Sequence, residues 1–405
     1  MSRAILLVID GLGVGVMADA VSTRPRDAGA NTLLHVIAAA ERGGRPLEVP
    51  NLARLGLLEI AGAVPLSGVR FPGAAAGRTA LGYPGADTYL GHQTIFGSDL
   101  RDLQLRPFRE VGPDVARRLA ADGHVVEPLS ESVLLIDGTM ILGDSLEADP
   151  GLNFNVTGSL DITSFEKILA VAEAVREVVS VARVIAVGGS GLDRQGLVDC
   201  VRPGSDGVAG IDTPKTGFYL KPGLRVVHLA RPIDTARQLP TLCRQAGLPV
   251  TLIGKMAEVV QCEGAAMKPA VATAGVVERW RDALAGQPDG LIAVNAQETD
   301  LAGHQQDADL YGRILRQLDE AVGTVLRGLR PGDLFMVAGD HGNDPTIGHP
   351  FHTREYVPVL MYRPGGAGFR RLGERRSLAD VGATLASHLG IDPGRLEQGE
   401  PIVSA

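Results

Sequence analysis

The sequence predicts an α/β fold: a doubly wound, mostly parallel sheet interrupted by an inserted α+β domain. Short apolar runs such as residues 4–9 alternate with amphipathic helical segments such as residues 307–329. From residue 105 to residue 232 this alternation gives way to short β-like pieces and glycine-rich turns. Residues 1–104 and 233–405 are therefore predicted to form the core domain, and residues 105–232 an inserted second domain.

Each predicted element rests on its hydrophobic period and on the residues that bound it. Apolar runs of five or six residues predict strands at residues 4–9, 132–136, 183–187, 249–254, 291–295, 334–338 and 357–362. Apolar residues three and four apart predict helices at residues 33–40, 49–57, 165–179, 234–246, 307–329 and 377–388. Pro50 suits a helix start, Gly247 a helix C-terminus and Ser377 an N-cap.

Length and composition exclude several classes of protein. A chain of 405 residues with 45% hydrophobic content can bury a large core, and its net charge of −8 argues against nucleic-acid binding. The three cysteines (Cys200, Cys243 and Cys262) are scattered, so neither a disulfide framework nor a zinc ribbon is expected. The first residues run directly into a strand without a signal-length or membrane-spanning segment, which predicts a soluble, cytoplasmic protein.

Acids and histidines follow three of the predicted strands. They are Asp10, Asp300 with His304, and Asp340 with His341, and His352 follows in the next loop. Ligands of open parallel sheets bind outside the carboxyl ends of the strands, so these side chains are expected to meet. Taken one at a time, each segment also fits an ordinary capped turn, and His352 fits a solvated loop histidine.

Three acids and three histidines are about what two metal ions need if each ion keeps a position open. Two such ions, roughly 3.5–4 Å apart, clamp the attacking and leaving oxygens of a phosphoryl transfer. The nucleophile for that reaction is best supplied by Thr88, because metal coordination would lower the pKa of its hydroxyl. The glycine-rich segment around Thr88 is by itself also explained by an N-cap.

At these residues the sequence resembles the alkaline phosphatase superfamily, and most closely the phosphopentomutases. The matching segments are Leu7-Val8-Ile9-Asp10-Gly11, residues 27–33, Asp87-Thr88 with Gly91-His92, Ile253-Gly254-Lys255, residues 340–346 and residues 352–358. The resemblance covers roughly the first hundred residues and those after about 235.

The resemblance implies two catalytic manganese ions and a phosphorylated threonine. One ion would be held by Asp10, Asp340, His341 and the Thr88 oxygen, and the other by Asp300, His304 and His352. Thr88 would carry the phosphoryl group in the resting enzyme, and a sugar bisphosphate is a candidate activator. The inserted domain would close over the sugar as a cap.

The resemblance implies an isomerase that moves a phosphoryl group between C1 and C5 of a pentose phosphate, ribose phosphate or a modified analogue, through phospho-Thr88. Lys255 is a candidate contact for the phosphate that is not reacting, with a plain surface lysine as the alternative. Arg354 is a further candidate substrate contact. His92 could orient the nucleophile loop or be structural. The predicted partner is a small phosphosugar, without nucleic acid or membrane, and the oligomeric state is left open.

Three departures from the phosphopentomutase pattern keep other activities open. Asp300 and His304 are four residues apart, a spacing similar to that of cofactor-independent phosphoglycerate mutases. Gln93 replaces the aromatic residue that usually follows Gly-His, and the inserted domain lacks the Pro-Gly-Asn-Phe and Arg-His-Asp-Tyr segments. The alternatives are a phosphohydrolase, another phosphosugar or phosphoglycerate mutase, and a catalytically silent metal-binding protein.

Overall fold

The computed structural model describes residues 2–62, 69–146, 148–204, 207–218 and 221–402. Contacts divide the chain into two units. Unit 1 comprises Met1–Arg101 and Asp234–Ala405, and unit 2 comprises Asp102–Ile233. The sequence placed these boundaries at 104/105 and 232/233. Among the described residues, no helix has the length and apolar character needed to cross a membrane.

The strands are numbered here in chain order. They are β1 (Arg3–Ile9), β2 (Ala74–Thr79), β3 (Val126–Ser130), β4 (Val133–Ile136), β5 (Met140–Asp144), β6 (Asn153–Ser159), β7 (Arg183–Gly189), β8 (Val201–Pro203), β9 (Ala209–Ile211), β10 (Arg225–Ala230), β11 (Val250–Ile253), β12 (Ala266–Lys268), β13 (Gly290–Ala296), β14 (Leu334–Ala338), β15 (Val357–Tyr362) and β16 (Phe369–Arg375).

The α-helices are numbered in the same way. They are α1 (Ala20–Thr23), α2 (Thr32–Arg42), α3 (Pro50–Leu55), α4 (Leu57–Ile60), α5 (Thr88–Ile95), α6 (Phe108–Ala121), α7 (Phe165–Val178), α8 (Arg194–Val198), α9 (Thr213–Thr216), α10 (Leu239–Gln245), α11 (Met256–Val259), α12 (Thr273–Gly286), α13 (Glu298–His304), α14 (Ala308–Gly328) and α15 (Ala379–His388).

Unit 1 is built on an eight-stranded sheet with the order β12-β11-β13-β1-β14-β15-β2-β16. Strands β12, β11, β13, β1 and β14 are mutually parallel, whereas β15 runs antiparallel to both β14 and β2. The register pairs Ile9 with Ala296 and Val8 with Ala338, so the carboxyl ends of β1, β13 and β14 coincide at one edge. The predicted α/β class with a mostly parallel sheet is confirmed.

Every residue of β1, β13 and β14 is buried, which requires that both faces of the sheet be covered. One face packs against α2, α3, α12 and α14 in a single core that includes Trp280, Tyr311 and Phe335. On the other side α15 contacts β14, and α10 contacts β11 and β13. This continuous burial explains why these strands are apolar along most of their length, with the polar exceptions Arg3 and Asn295 near strand ends.

Unit 2 has a six-stranded sheet with the order β10-β7-β6-β5-β4-β3. Adjacent strands of this sheet are antiparallel, except that β6 and β7 are parallel. Helices α6 and α7 cover one face, where Phe108 and Phe154 meet edge to face within the core. Unit 2 is therefore an α+β domain. Its predicted role as a substrate cap stays a prediction.

Several predicted elements differ from the structure. The helix predicted at residues 234–246 begins only at Leu239, after a separate 3-10 turn, Thr235–Arg237, because Pro240 sits in the first helical turn. The segment 49–57 breaks at Gly56, whose φ of 109° is left-handed, and a Cβ there would lie 2.5 Å from the Ala76 Cβ. Strands β2 and β16 were missed, since their alanine- and arginine-rich sequences lack a strand pattern.

A buried ion pair lies at the edge of the sheet where β1 begins. The Arg3 guanidinium donates from Nε to both Asp333 oxygens (3.2 and 3.1 Å) and from Nη2 to Oδ2 (2.5 Å). Arg3 Nη1 also donates to the Leu284 carbonyl at 2.8 Å. Both side chains are almost completely buried. Removal of one partner would therefore leave an uncompensated charge in the protein interior.

Asp333→Ala is expected to lower the free energy of unfolding of unit 1 by about 3–5 kcal/mol, because Arg3 would remain buried and charged. Trp280 is the only tryptophan of the sequence, so its fluorescence during urea denaturation reports on unit 1. The matched control is Glu374→Ala, which breaks the exposed Arg78–Glu374 pair and should cost about 1 kcal/mol or less. Equal losses in the two variants would contradict the structure.

Candidate metal centre

Four parallel strands deliver polar side chains to one edge of the unit 1 sheet. Asp10 directly follows β1, Asp340 follows β14 by two residues, and Lys255 follows β11 by two residues. Asp300 lies in the first turn of α13, which begins shortly after β13. All four side chains are buried. The coincidence of strand ends therefore assembles charged groups that lie far apart in the sequence.

His352 reaches the same place through a local pairing. Gly342, which follows His341, forms an isolated antiparallel bridge with Thr353, with hydrogen bonds of 3.0 and 2.8 Å. The bridge brings His352 beside His341, and the two imidazoles stack with centroids 3.9 Å apart. The alternative interpretation of His352 as a solvated loop histidine is therefore wrong.

Four atoms form the first cluster: Thr88 Oγ1, Asp10 Oδ1, Asp340 Oδ2 and His341 Nε2. The Thr88 oxygen lies 2.9 Å from Asp340 Oδ2 and 3.5 Å from Asp10 Oδ1. His341 Nε2 lies 3.4 Å from Asp10 Oδ1 and 3.3 Å from Asp340 Oδ2. Ligands about 2.1 Å from one cation lie roughly 3.0–3.4 Å from one another. The spacing of this cluster fits a single divalent ion.

The second cluster consists of Asp300, His304 and His352. Each Asp300 oxygen lies 3.4 Å from one histidine Nε2, Oδ2 from His304 and Oδ1 from His352. The two Nε2 atoms are 3.1 Å apart. His341 borders both clusters, because Asp300, His341 and His352 also place ligand atoms within 4.8 Å of one another. The ligand atoms of Asp10, Asp340 and His341 also lie within 4.8 Å of one another.

The hydrogen bonds of the three histidines leave their Nε2 atoms available to a metal. Nδ1 donates to a backbone carbonyl in each case: Pro350 for His304 (2.6 Å), Gly342 for His341 (3.0 Å) and Ala86 for His352 (3.2 Å). A carbonyl only accepts, so Nδ1 carries the proton of the neutral ring and Nε2 carries a lone pair. Two lone pairs that face each other at 3.1 Å require a cation or a proton between them.

The charges of the site also require additional positive charge. Burial opposes the ionisation of Asp10 and Asp300, but the Lys255 ammonium and the neighbouring histidines together outweigh it and lower the pKa of both carboxyls. Burial and the Asp10 charge raise the pKa of Asp340 to about 7. Burial disfavours a charged His341, yet Asp340 and Asp10 raise its pKa to about 10. The residues therefore fit divalent cations, which would take the place of these protons.

Thr88 presents its hydroxyl to the first cluster and does not cap the helix. The N-cap of α5 is Asp87, whose side chain accepts from the Leu90 amide at 3.0 Å. The interpretation of Thr88 as the N-cap is therefore wrong by one residue. A Cβ at Gly91 would lie 2.6 Å from the Asp340 carbonyl oxygen, so only glycine lets the first turn of α5 approach Asp340 this closely.

The two predicted substrate contacts are both buried. Lys255 Nζ lies 2.8 Å from Asp10 Oδ2, 3.2 Å from Thr88 Oγ1 and 3.5 Å from Asp300 Oδ2, so it is not a plain surface lysine. The Arg354 guanidinium donates to the Asp19 carboxylate and to the carbonyls of Tyr83 (2.8 Å) and Gly85 (2.6 Å). These contacts hold the loop before Thr88, and a substrate contact of Arg354 stays a prediction.

Sequence reasoning missed the amides that orient the carboxylates. Asn343 Nδ2 donates to Asp300 Oδ1 at 2.9 Å, and Asn295 Nδ2 donates to Asp10 Oδ2 at 3.0 Å. Both asparagines are completely buried. The available signal was the polar residue itself, because Asn295 interrupts an otherwise apolar strand and Asn343 follows Asp340-His341-Gly342. The carboxylates that these asparagines contact could not be predicted, because only the folded sheet brings them together.

The sheet and its buried acid–histidine clusters define a metalloenzyme of alkaline-phosphatase-like fold. In agreement, the profile described as the Metalloenzyme superfamily matches residues 2–393. The phosphopentomutase of Symbiobacterium thermophilum is 32% identical over 413 residues, covering 96% of this chain and 95% of the relative. The phosphopentomutase of Methylobacterium radiotolerans is 33% identical over 424 residues, covering 96% and 98%. The chain belongs to the phosphopentomutase family and is an enzyme of the isomerase class.

A solved structure of Leishmania mexicana phosphoglycerate mutase also matches this chain, with a TM-score of 0.46 and 14% sequence identity. The match covers 99% of this chain and 97% of that one.

Proposed function

We propose that this enzyme moves a phosphoryl group between C1 and C5 of a pentose monophosphate, with Thr88 as the residue that carries the group. The observation that supports this function most strongly is the position of the Thr88 hydroxyl. It lies within 3.5 Å of Asp10, Asp340 and Lys255, and Asp87 serves as the N-cap instead. A threonine needs such surroundings to act as a nucleophile, because its free hydroxyl is a poor one.

The residues fit two divalent ions, and we propose Mn²⁺ because carboxylate oxygens suit this ion and the resemblance to phosphopentomutases implies it. Asp10, Asp340, His341 and Thr88 would hold one ion, and Asp300, His304 and His352 the other. Bound there, the ions would supply Lewis acidity that lowers the pKa of the Thr88 hydroxyl and offsets charge on the phosphoryl oxygens. A sugar bisphosphate would prime the enzyme by phosphorylating Thr88.

In the proposed reaction the bond from phosphorus to Thr88 Oγ1 breaks as a bond forms to the free hydroxyl oxygen of the sugar. The proton of that sugar hydroxyl ends on Thr88 Oγ1. The resulting bisphosphate then reorients and returns its other phosphoryl group to Thr88. Lys255 would stabilise the negative charge that develops on the Thr88 oxygen, 3.2 Å from its ammonium group.

Unit 2 would act as the cap that keeps water from the phosphothreonine. Exclusion of water favours transfer to a sugar over hydrolysis, which would otherwise consume the phosphoenzyme. We infer that the protein works in the cytoplasm, where pentose phosphates are its substrates. In this proposal, unit 2 determines which sugar is bound, ribose or a modified pentose.

Incubation of the Mn²⁺-loaded protein with ribose 1-phosphate is expected to yield ribose 5-phosphate, measured by phosphorus NMR. A trace of sugar bisphosphate should shorten the delay before ribose 5-phosphate appears, because it phosphorylates Thr88. The control omits the protein and keeps the metal. Inorganic phosphate as the main product would replace this proposal with a phosphohydrolase that uses the same residues.

A further inference from the structure

A chain of buried hydrogen bonds links Asp10 to the backbone of Thr88 through two residues that are not among the predicted metal ligands. Asn295 Nδ2 lies 3.0 Å from Asp10 Oδ2 and 2.9 Å from His92 Nε2. His92 Nδ1 lies 2.7 Å from the Thr88 carbonyl oxygen. All of Asp10, Asn295 and His92 are completely buried. This connection is called the Asn295–His92 bridge below.

The acceptors at its two ends fix the direction of every hydrogen bond in the bridge. The Thr88 carbonyl only accepts, so His92 carries its proton on Nδ1 and a lone pair on Nε2. The ionised Asp10 carboxylate also only accepts, so the amide nitrogen of Asn295 must face it. Asn295 therefore donates one hydrogen to Asp10 and the other to His92. Burial lowers the pKa of His92 to about 4, which agrees with a neutral ring.

The bridge leaves neither nitrogen of His92 free to bind a metal. Asn295 shares Asp10 Oδ2 with the Lys255 ammonium, which lies 2.8 Å away. Asp10 Oδ1 is the oxygen that faces Thr88 Oγ1 and His341 Nε2. The effect of the bridge on Thr88 is to hold the carbonyl of the first residue of α5. One bridge thus holds both a carboxylate oxygen of Asp10 and the backbone carbonyl of Thr88.

We propose that Asn295 and His92 are positioning residues that align Asp10 with the Thr88 hydroxyl for metal binding and phosphoryl transfer. For the transfer step this inference rests on the proposed function, whereas for metal binding it does not. Partners that orient a metal ligand contribute about 10- to 100-fold to affinity or activity. A displacement of about 1 Å in a reacting group costs a similar factor.

Asn295→Leu and His92→Leu are each expected to weaken Mn²⁺ binding at one of two sites by about 10-fold, measured by calorimetry. In the same variants kcat should fall by about 100-fold, whereas KM should change by less than about 3-fold. The double variant should lose no more than either single variant, because both changes break one bridge. Additive losses would indicate two unrelated structural roles and would overturn the inference.

The matched control is Thr94→Val in the same helix. Thr94 is completely buried, and its hydroxyl has no hydrogen-bond partner among the described residues, so this change should leave binding and kcat as they are. His92→Asn keeps an N–H directed at the Thr88 carbonyl and should recover about 10-fold of the kcat lost in His92→Leu. It also provides the test if Asn295→Leu does not fold, and no recovery would overturn the inference.

The two proposals fail differently. If the unaltered protein shows no phosphorylation of Thr88 but Asn295→Leu still weakens Mn²⁺ binding, the proposed function is wrong and the positioning of Asp10 is supported. If Thr88 is phosphorylated and both leucine variants bind Mn²⁺ and turn over as the unaltered protein does, the function stands and the bridge has no positioning role.

Discussion

Thr88→Ala is expected to abolish phosphoryl transfer, with kcat lower by on the order of 10⁴- to 10⁶-fold, as when an enzymic nucleophile is removed. The alanine leaves the sheet and the two acids in place but deletes the Thr88 hydroxyl, which lies 2.9 Å from Asp340 Oδ2 and 3.2 Å from Lys255 Nζ. Phosphorus NMR of ribose 1-phosphate turnover measures the loss. A mass spectrum of the peptide that contains residue 88 should show no phosphoryl group after treatment with sugar bisphosphate.

Thr88→Ser is the control for that substitution, because it keeps the hydroxyl and removes only a methyl group. It should retain kcat within about 100-fold and should still gain one phosphoryl group on residue 88. More than a tenth of the activity in Thr88→Ala would show that Thr88 is not the nucleophile. A phosphoryl group on another residue would show the same.

Asp340→Asn is expected to remove one of two bound metal ions and to lower kcat by about 10³-fold. Asp340 Oδ2 belongs to the first cluster, 2.9 Å from the Thr88 hydroxyl and 3.3 Å from His341 Nε2. An amide has the same shape but brings no charge, so the cation loses one of its two carboxylates. Elemental analysis of the purified protein after dialysis against Mn²⁺ should give one ion per chain in place of two.

Asp319→Asn is the matched control for the metal count. Asp319 is also a buried acid of unit 1, but its carboxylate accepts from the Leu52 amide and from Asn51. The Asp319→Asn variant should bind two ions and keep its activity, even if its free energy of unfolding is lower. Two ions or full activity in Asp340→Asn would show that Asp340 is not a ligand.

Much of the site could be predicted because it depends on local sequence. An apolar run that ends in an acid indicates a strand end, and parallel strands in register bring their ends together. That rule is enough to place Asp10, Asp300 and Asp340 at one edge of the sheet from the order of residues alone. The glycines are also local signals, since Gly91 allows α5 to approach the Asp340 backbone.

The rest of the site could not be predicted because it depends on contacts between distant segments. The Thr88 hydroxyl donates to Asp340, which lies 252 residues away in the sequence, so its role in the site could not be read from the local segment. The partner of Asn295 follows from the register that sets β13 beside β1. The burial of Lys255 depends on β11 ending beside β13, with which it pairs in parallel.

The fold shows the same distinction. Strand β14 was predicted because it is apolar throughout, and its burial on both sides of the sheet is the reason. Strand β16 was missed because it is an edge strand with exposed Arg371 and Glu374. Charged residues on an edge strand discourage its pairing with other chains. Edge strands carry little hydrophobic period, so sequence alone gives them little signal.

The most direct test is the anomalous scattering of manganese in crystals of the Mn²⁺-loaded protein. Two peaks per chain are predicted, one within bonding distance of Asp10, Asp340, His341 and Thr88, and the other of Asp300, His304 and His352. A single peak held by Asp300, His341 and His352, with none beside the Thr88 hydroxyl, would contradict the assignment.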